Sequence, residues 1–288
     1  MTKPKILIQL DPDPQPSSFD AIVAIDAGVD QLLQYGCVEA EQVQALVHGA
    51  MFTRGPQELS QTAIFIGGTN VAAGEALLKQ VTGCFFGPMR VSVLLDANGA
   101  NTTAAAAVLA AARHVELSGA TATVLAGTGP VGQRAARLLA RQGASVRVAS
   151  RSLERAQDVC RMIQGQVADA KLTPVKTASA AETAEALAGA AIVIAAGAAG
   201  VELLSADVRR SATQLKVAID LNAVPPLGIG GLEVTDKANE RDGATCYGAI
   251  GVGGAKMKIH RAAIQQLFTA NNLILDAEEV FQIGQALP

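Results

Sequence analysis

The segment Thr121-Ala-Thr-Val-Leu-Ala-Gly127-Thr-Gly129-Pro-Val-Gly132 constrains the fold more than any other stretch of this 288-residue chain. A short apolar run meets a glycine turn and passes directly into the helix-forming run Gln133-Arg-Ala-Ala-Arg-Leu-Leu-Ala140. In such a strand–turn–helix unit Gly127 is expected to make the tight turn and Gly129 to let the backbone approach a pyrophosphate. Gly132 then lets the helix pack close to the strand. Thr128, Pro130 and Val131 complete the turn, and the open N–H groups of the helix start, with the positive end of its dipole, face the phosphates. Spacing alone is weak among 28 glycines, but the strand before and the helix after turn it into a dinucleotide-binding signal.

The following strand, Ser145–Ala149, distinguishes between dinucleotides. It ends in Ser150-Arg151-Ser152, with Arg155 one helical turn further on. A site for NAD usually places Asp or Glu there, to accept from the ribose 2′-OH. A carboxylate would repel the 2′-phosphate of NADP, whereas two hydroxyls and a planar guanidinium bind it. A solvated arginine at a helix start is the plainer alternative. The expected cofactor is NADP, with NAD as a weaker second.

Composition excludes several partners. The formal net charge is −3, there is no Trp and there are two Tyr, so neither a basic surface nor stacking aromatics for nucleic acid are present. The apolar run Ile6–Leu10 is too short for a signal sequence, and no stretch approaches a membrane span. Cys37, Cys84, Cys160 and Cys246 are far apart and lack metal-ligand spacing. They are expected to be free thiols in a reducing cytoplasm, and no metal site is implied.

Apolar runs alternate with helical ones along the whole chain, which predicts an α/β fold. Strands are expected at 5–10, 63–67, 91–95, 121–125, 145–149, near 174–176, at 191–195 and at 216–219. Helices are expected at 19–35, 71–80, 102–116, 153–163, 181–187, 255–269 and 277–286. The organisation predicted is an N-terminal α/β catalytic domain, 1–117, rejoined by the closing helix at about 271–288. A Rossmann-type domain, 118–270, binds the cofactor, with a cleft between the two.

Three other segments place polar residues after apolar strands, where open α/β sheets bind ligands. In the first, Asp96, Asn98, Asn101, Thr102 and Thr103 lie within eight residues. A capped turn, with Asn101 as N-cap and Asp96 accepting nearby N–H groups, accounts for one or two of them, and a polar substrate wall accounts for all. In the second, Gly248–Arg261, a glycine loop is expected to open a helix with Lys256 and Lys258 in its first turns, against the preference of the dipole. Two residues apart, these lysines point to different faces, and Lys256, nearer the glycines, is the candidate for a substrate oxygen. In the third, Ala196 and Gly197, with Asp220 and Asn222, are expected at the nicotinamide end of the cofactor. Pro225 or Pro226 is a candidate for a cis bond. His48, His114 and His260 are expected to be packing or surface residues.

These residues resemble those of the NADP-dependent methylene-tetrahydromethanopterin dehydrogenases of methylotrophic bacteria, a type that also accepts methylene-tetrahydrofolate. The resemblance runs end to end: Ser18-Phe19-Asp20, Asp26-Ala-Gly28, Thr62–Gly68, Phe86-Gly-Pro88, Asp96–Thr103, Ala126–Gly132, Asn222–Gly231 and Gly248–Arg261. It implies a pterin site lined by Phe19, Asp20, Asp96, Asn98, Asn101, Thr102 and Lys256, a homo-oligomer (trimer or hexamer), and neither metal nor flavin.

That activity explains why no catalytic dyad stands out. Hydride leaves a methylene carbon as the neighbouring nitrogen lone pair forms an amidinium, so no proton has to be removed. Orientation of donor and acceptor then dominates, and Asp96 or Asp20 is the expected electrostatic partner of the new cation. A methylene-tetrahydrofolate dehydrogenase/cyclohydrolase is the alternative. A non-catalytic NADP-binding redox sensor is the distant one, and it has no need of a second polar wall.

Overall fold

The computed structural model describes residues 3–288. In chain order the elements begin with β1 (Ile6–Leu10), α1 (Ser18–Asp26), β2 (Gln31–Tyr35), α2 (Ala40–Phe52), β3 (Thr62–Ile66), α3 (Val71–Gly83), β4 (Ser92–Leu95) and α4 (Ala100–Ala112). They continue with β5 (Thr121–Leu125), α5 (Pro130–Arg141), β6 (Ser145–Ser150), α6 (Leu153–Gln164), β7 (Lys171–Lys176), α7 (Ala180–Leu187), β8 (Ile192–Ala195), α8 (Ala206–Ser211) and β9 (Val217–Asp220). The last are β10 (Lys237–Arg241), β11 (Ala244–Tyr247), α9 (Ala249–Gln266), β12 (Ile274–Leu275) and α10 (Ala277–Gln285).

The chain forms two compact units, one running through Thr102 and including Met257–Pro288, the other Thr103–Lys256. The first contains a five-stranded sheet in the order β12-β4-β3-β1-β2, parallel throughout. β3 is buried at all five positions, as a strand covered on both faces must be. The second has seven strands in the order β10-β11-β9-β8-β5-β6-β7, parallel except for the edge strand β10. Its core includes Leu125, Leu187, Val193, Leu204, Ile229 and Leu232. Both sheets reverse direction beside their first strand, between β1 and β3 in one and between β5 and β8 in the other. Such reversal points open a crevice at the carboxyl ends of the strands.

The α/β class and most elements agree with the sequence reading, and the differences have local causes. The helix expected over 19–35 ends at Asp26, because Gly28 takes a left-handed φ of +87° and breaks it. Residues 31–35 instead pair in parallel with β1 as an edge strand. α2 was not anticipated, although Val43, Val47, Ala50 and Met51 share its buried face and Glu39 with Gln42 form a capping box. α9 begins at Ala249, six residues earlier than the 255 expected, so Lys256 and Lys258 lie well inside the helix and not in its first turn. The unit divisions fall within α4 and α9, whereas the sequence reading placed the joints beyond them, at 117/118 and 270/271.

Candidate functional site

In the second unit the glycine turn links β5 to α5, with Gly129 as N-cap and Pro130 in the first turn. The left-handed position of the turn is Ala126, at φ +52°, not Gly127. Gly127 is required by close packing: a Cβ there would stand 2.9 Å from the Val124 carbonyl oxygen and 3.0 Å from Val148 Cγ1. Gly132 has the packing role expected of it, since its Cβ would meet Ala126 O at 2.7 Å and Gly127 Cα at 2.8 Å.

A cavity of about 660 Å³ opens at the reversal point of this sheet. Thr128, Ser150, Arg151, Ser152, Arg155 and Gly197 line it, so the turn after β5, the end of β6 and the loop after β8 face one space. Ser150 Oγ accepts from the Ser152 amide at 3.2 Å, and Ser152 caps α6 by accepting from the Arg155 amide at 3.3 Å. These bonds hold the 150–152 corner and leave the exposed Arg151 guanidinium at its rim. The cavity fits a phosphorylated dinucleotide: a cation and hydroxyls stand where β6 ends, and no Asp or Glu does.

Sequence reasoning missed Thr177 and Ser179, beyond the end of β7, together with Glu202 and Ser205 in the β8 loop, all of which line the same cavity. Their signal was positional, since each follows a strand whose carboxyl end lies at the crevice. Gly127, Gly129, Pro130, Val131, Gly132, Ala196, Asp220 and Asn222 are not in the lining, which the turn reaches through Ala126 and Thr128. Asp220 is buried and accepts from the amides of Asn222 (3.0 Å) and Ile229 (2.8 Å), and burial raises its pKa above the ordinary value. Asn222 donates to the Pro226 carbonyl at 3.1 Å and accepts from the Val224 amide at 3.0 Å. The two thus knot the loop that contains the cis Pro225–Pro226 bond. His114 lies 2.8 Å from Tyr247 Oη. Burial pushes the thiols of Cys160 and Cys246 up to about 11, which removes them as nucleophiles.

In the first unit Asp96 is buried and organises the start of α4. Its Oδ1 accepts from the amides of Asn101 (2.9 Å) and Thr102 (3.1 Å), and its Oδ2 accepts from Thr102 Oγ1 (2.6 Å). Asn101 Nδ2 donates to Leu95 O (2.5 Å) and to Asp276 Oδ1 (2.9 Å), tying in the residue that precedes α10. The capped-turn reading therefore accounts for Asp96, Asn101 and Thr102, while Asn98 is exposed at φ +54°. On α1, Phe19 is exposed and Asp20 half-buried, with Ser17 capping that turn. Lys256 is half-buried and Lys258 exposed. His260 is buried against Phe65, with ring centroids 5.7 Å apart.

Residues 18–98 match the family model described as methylene-tetrahydromethanopterin dehydrogenase, N-terminal, and residues 108–231 match that of shikimate / quinate 5-dehydrogenase. The chain is 44% identical over 285 residues to the bifunctional protein MdtA of Methylorubrum extorquens, covering 98% of this chain and 99% of that one. It is 32% identical over 295 residues to the NAD(P)-dependent methylenetetrahydromethanopterin dehydrogenase of the same organism, covering 97% of each. Among solved structures it resembles quinate dehydrogenase from Corynebacterium glutamicum, at 15% identity and a TM-score of 0.55, covering 99% of this chain and 100% of that one. Shikimate 5-dehydrogenase from Listeria monocytogenes is similar at 17% identity and a TM-score of 0.55, covering 98% and 96%. At these identities the two structures show the fold.

Proposed function

Because this chain belongs to the methylenetetrahydromethanopterin dehydrogenase family, we propose that it transfers hydride from the methylene carbon of methylene-tetrahydromethanopterin, methylene-tetrahydrofolate or both to NADP+. One observation carries the choice of cofactor: Ser150, Arg151 and Ser152 line the same cavity as Ala126 and Thr128 of the turn after β5. When bound, NADP+ supplies the hydride acceptor. Arg151 binds the 2′-phosphate with Arg155, Ser150 and Ser152, and the N–H groups at the start of α5 receive the pyrophosphate.

The first unit supplies the pterin site. Phe19, Asp20 and Asn98 present the accessible groups, and Asp96 fixes Asn101 and Thr102 at the start of α4. Asp20, half-buried at a helix start, offsets the positive charge that grows on the substrate ring as hydride departs. The reading also assigns Lys256, which in sequence closes the second unit next to Met257 of the first, to a substrate oxygen away from the reacting carbon, where its charge does not oppose that cation. No general base is needed, so the contribution of the protein is alignment at about 3–3.5 Å between donor and acceptor carbons.

The reading includes a cytoplasmic homo-oligomer, a trimer or hexamer. The exposure of Leu33 and Tyr35 on edge strand β2, and of Ile22 and Ile25 on α1, supports association. Light scattering behind gel filtration measures it. Among the described residues no helix is long and apolar enough to cross a membrane. The deciding experiment is an absorbance assay of nicotinamide reduction with both methylene carriers and both nicotinamides. NADP+ with at least one carrier is expected to turn over fastest, and inactivity in all four combinations overturns the proposal.

A further inference from the structure

Among the described residues the two sheets end on four edge strands, and three of these are defended. β7 carries Lys171, Pro174 and Lys176. β10 carries Lys237, Glu240 and Arg241, and its register shifts after Lys237. β12 is only two residues long. Charge, proline, bulges and short length are the devices that keep a sheet edge from pairing with another chain. β2 has none of them. It reads Gln31-Leu-Leu-Gln-Tyr35, five residues without charge or proline, in unbroken register with β1.

The sheet face beside this edge is open as well. A groove of about 430 Å³ is walled by Ile6, Ile8, Leu33 and Tyr35 of the sheet and by Leu46 and Gly49 of α2. Leu33 is 44% and Tyr35 40% exposed, so α2 leaves the outer strand bare. The groove has an acid near one end and a base at the other. α2 follows β2 and precedes β3, so it runs back from the Tyr35 end of the sheet to the Gln31 end. Glu41 stands in its first turn, on the same stripe as Ala45 and Gly49, and Arg54 lines the groove beyond its last turn. Arg54 is held there by donating to the Gln61 carbonyl at 2.7 Å.

We propose that β2 is a contact between two copies of this chain, paired antiparallel with β2 of the second copy about a twofold axis at Leu33. Leu33 then meets Leu33 of the second copy, and Gln31 meets Tyr35, on the face that carries the groove. An uncharged strand faces itself in this way without opposing like charges, and the two open grooves join into one that both copies fill. The same rotation sets the two α2 helices antiparallel. Glu41 of each copy therefore lies at the end where the other carries Arg54, a charge complementarity that favours a second copy over an unrelated strand. The inference rests on the homo-oligomer reading above and narrows it. A twofold contact joins subunits in pairs, so of trimer and hexamer it requires the hexamer.

The test is light scattering behind gel filtration on the full-length protein, with a cross-linking arm. The wild type is expected at the mass of six chains. Leu33→Lys, which sets two ammonium groups on the axis, is expected at the mass of three. In the second arm the exposed Cys37 is first replaced (Cys37→Ser). Leu33→Cys in that background is expected to give a disulfide-linked dimer on mild oxidation, because facing residues of an antiparallel pair lie about 4.5–5.5 Å apart at Cα. Asn239→Cys, on the defended edge β10, is expected to give none. The cross-link carries the test if Leu33→Lys fails to fold. A wild type of three chains, a folded Leu33→Lys that keeps six, or a Leu33→Cys dimer no more abundant than that of Asn239→Cys overturns this contact alone. A wild type of two chains that Leu33→Lys splits upholds the contact and overturns the trimer or hexamer count. A monomeric wild type overturns the contact and the homo-oligomer reading together, and leaves the edge to a strand from another protein.

Discussion

Arg151 stands at the rim of the cavity proposed for the cofactor and offers a planar, permanently charged fork where β6 ends. Replacing it with Ala removes a charge-assisted contact worth about 1.5–3 kcal/mol. The expected result is a KM for NADP+ raised about 10–100-fold, with the KM for NAD+ little changed; steady-state kinetics with both cofactors checks it. Asp11 makes a prediction about pH. Burial lifts its folded-state pKa above the unfolded value, so the folded protein holds the proton more tightly. Its cost to stability is absent below the unfolded pKa, grows as pH rises through the folded one and is complete above that. Asp13 adds to the same shift through its charge. The melting temperature of Asp11→Asn relative to wild type should therefore rise between about pH 4 and pH 7. A difference that stays flat with pH contradicts the burial argument. At this scale the sequence showed Arg151 plainly, because strand order alone places it after β6. It hid Asp11, whose burial depends on Gly67, just beyond β3, and so on the pairing of β1 with a strand distant in sequence.

Among the elements, β5 and α5 were legible because strand, turn and helix start all agreed locally. Segment 31–35 was not, since Gln-Leu-Leu-Gln-Tyr has no period of its own and becomes β2 only through pairing with β1. α9 was misjudged because glycines were taken to mark a loop. Gly251 lies inside the helix, where its missing side chain lets the helix approach the preceding loop: a Cβ would come within 1.8 Å of the Asp236 carbonyl oxygen. Gly253, two residues on, has nothing within 4 Å of its Cβ position. Gly251→Ala should destabilise by about 3 kcal/mol or more, through overpacking against backbone. Gly253→Ala should stabilise by about 0.5–1 kcal/mol, through helix propensity. Urea midpoints of the two variants measure the contrast, and similar midpoints would refute it.

At the scale of the molecule, the first unit is discontinuous in sequence and the second is not. Residues 257–288 supply β12, which pairs with β4, and Asp276, which receives the Asn101 amide. A chain stopped at Lys256 is expected to bind NADPH, because the cavity proposed for the cofactor is lined entirely from within Thr103–Lys256. In that chain residues 3–102 should lose their resistance to protease, since β4 is left as an open edge. Limited proteolysis with mass mapping, alongside NADPH titration, tests both statements. Pairwise alternation of strands and helices revealed that two α/β sheets exist. It could not show which distant strand closes the first one, because a two-residue strand such as β12 has no pattern to recognise.

That arrangement also sets an order of events on the ribosome. The second unit leaves the exit tunnel complete while β4 still waits for its neighbour, so the second unit can fold during translation and the first only afterwards. Until then each nascent chain displays one open edge of the wholly buried strand Ser92–Leu95, paired to β3 on its other side, to others on the same message. The step most exposed to aggregation is therefore the interval in which Thr103–Lys256 is being synthesised.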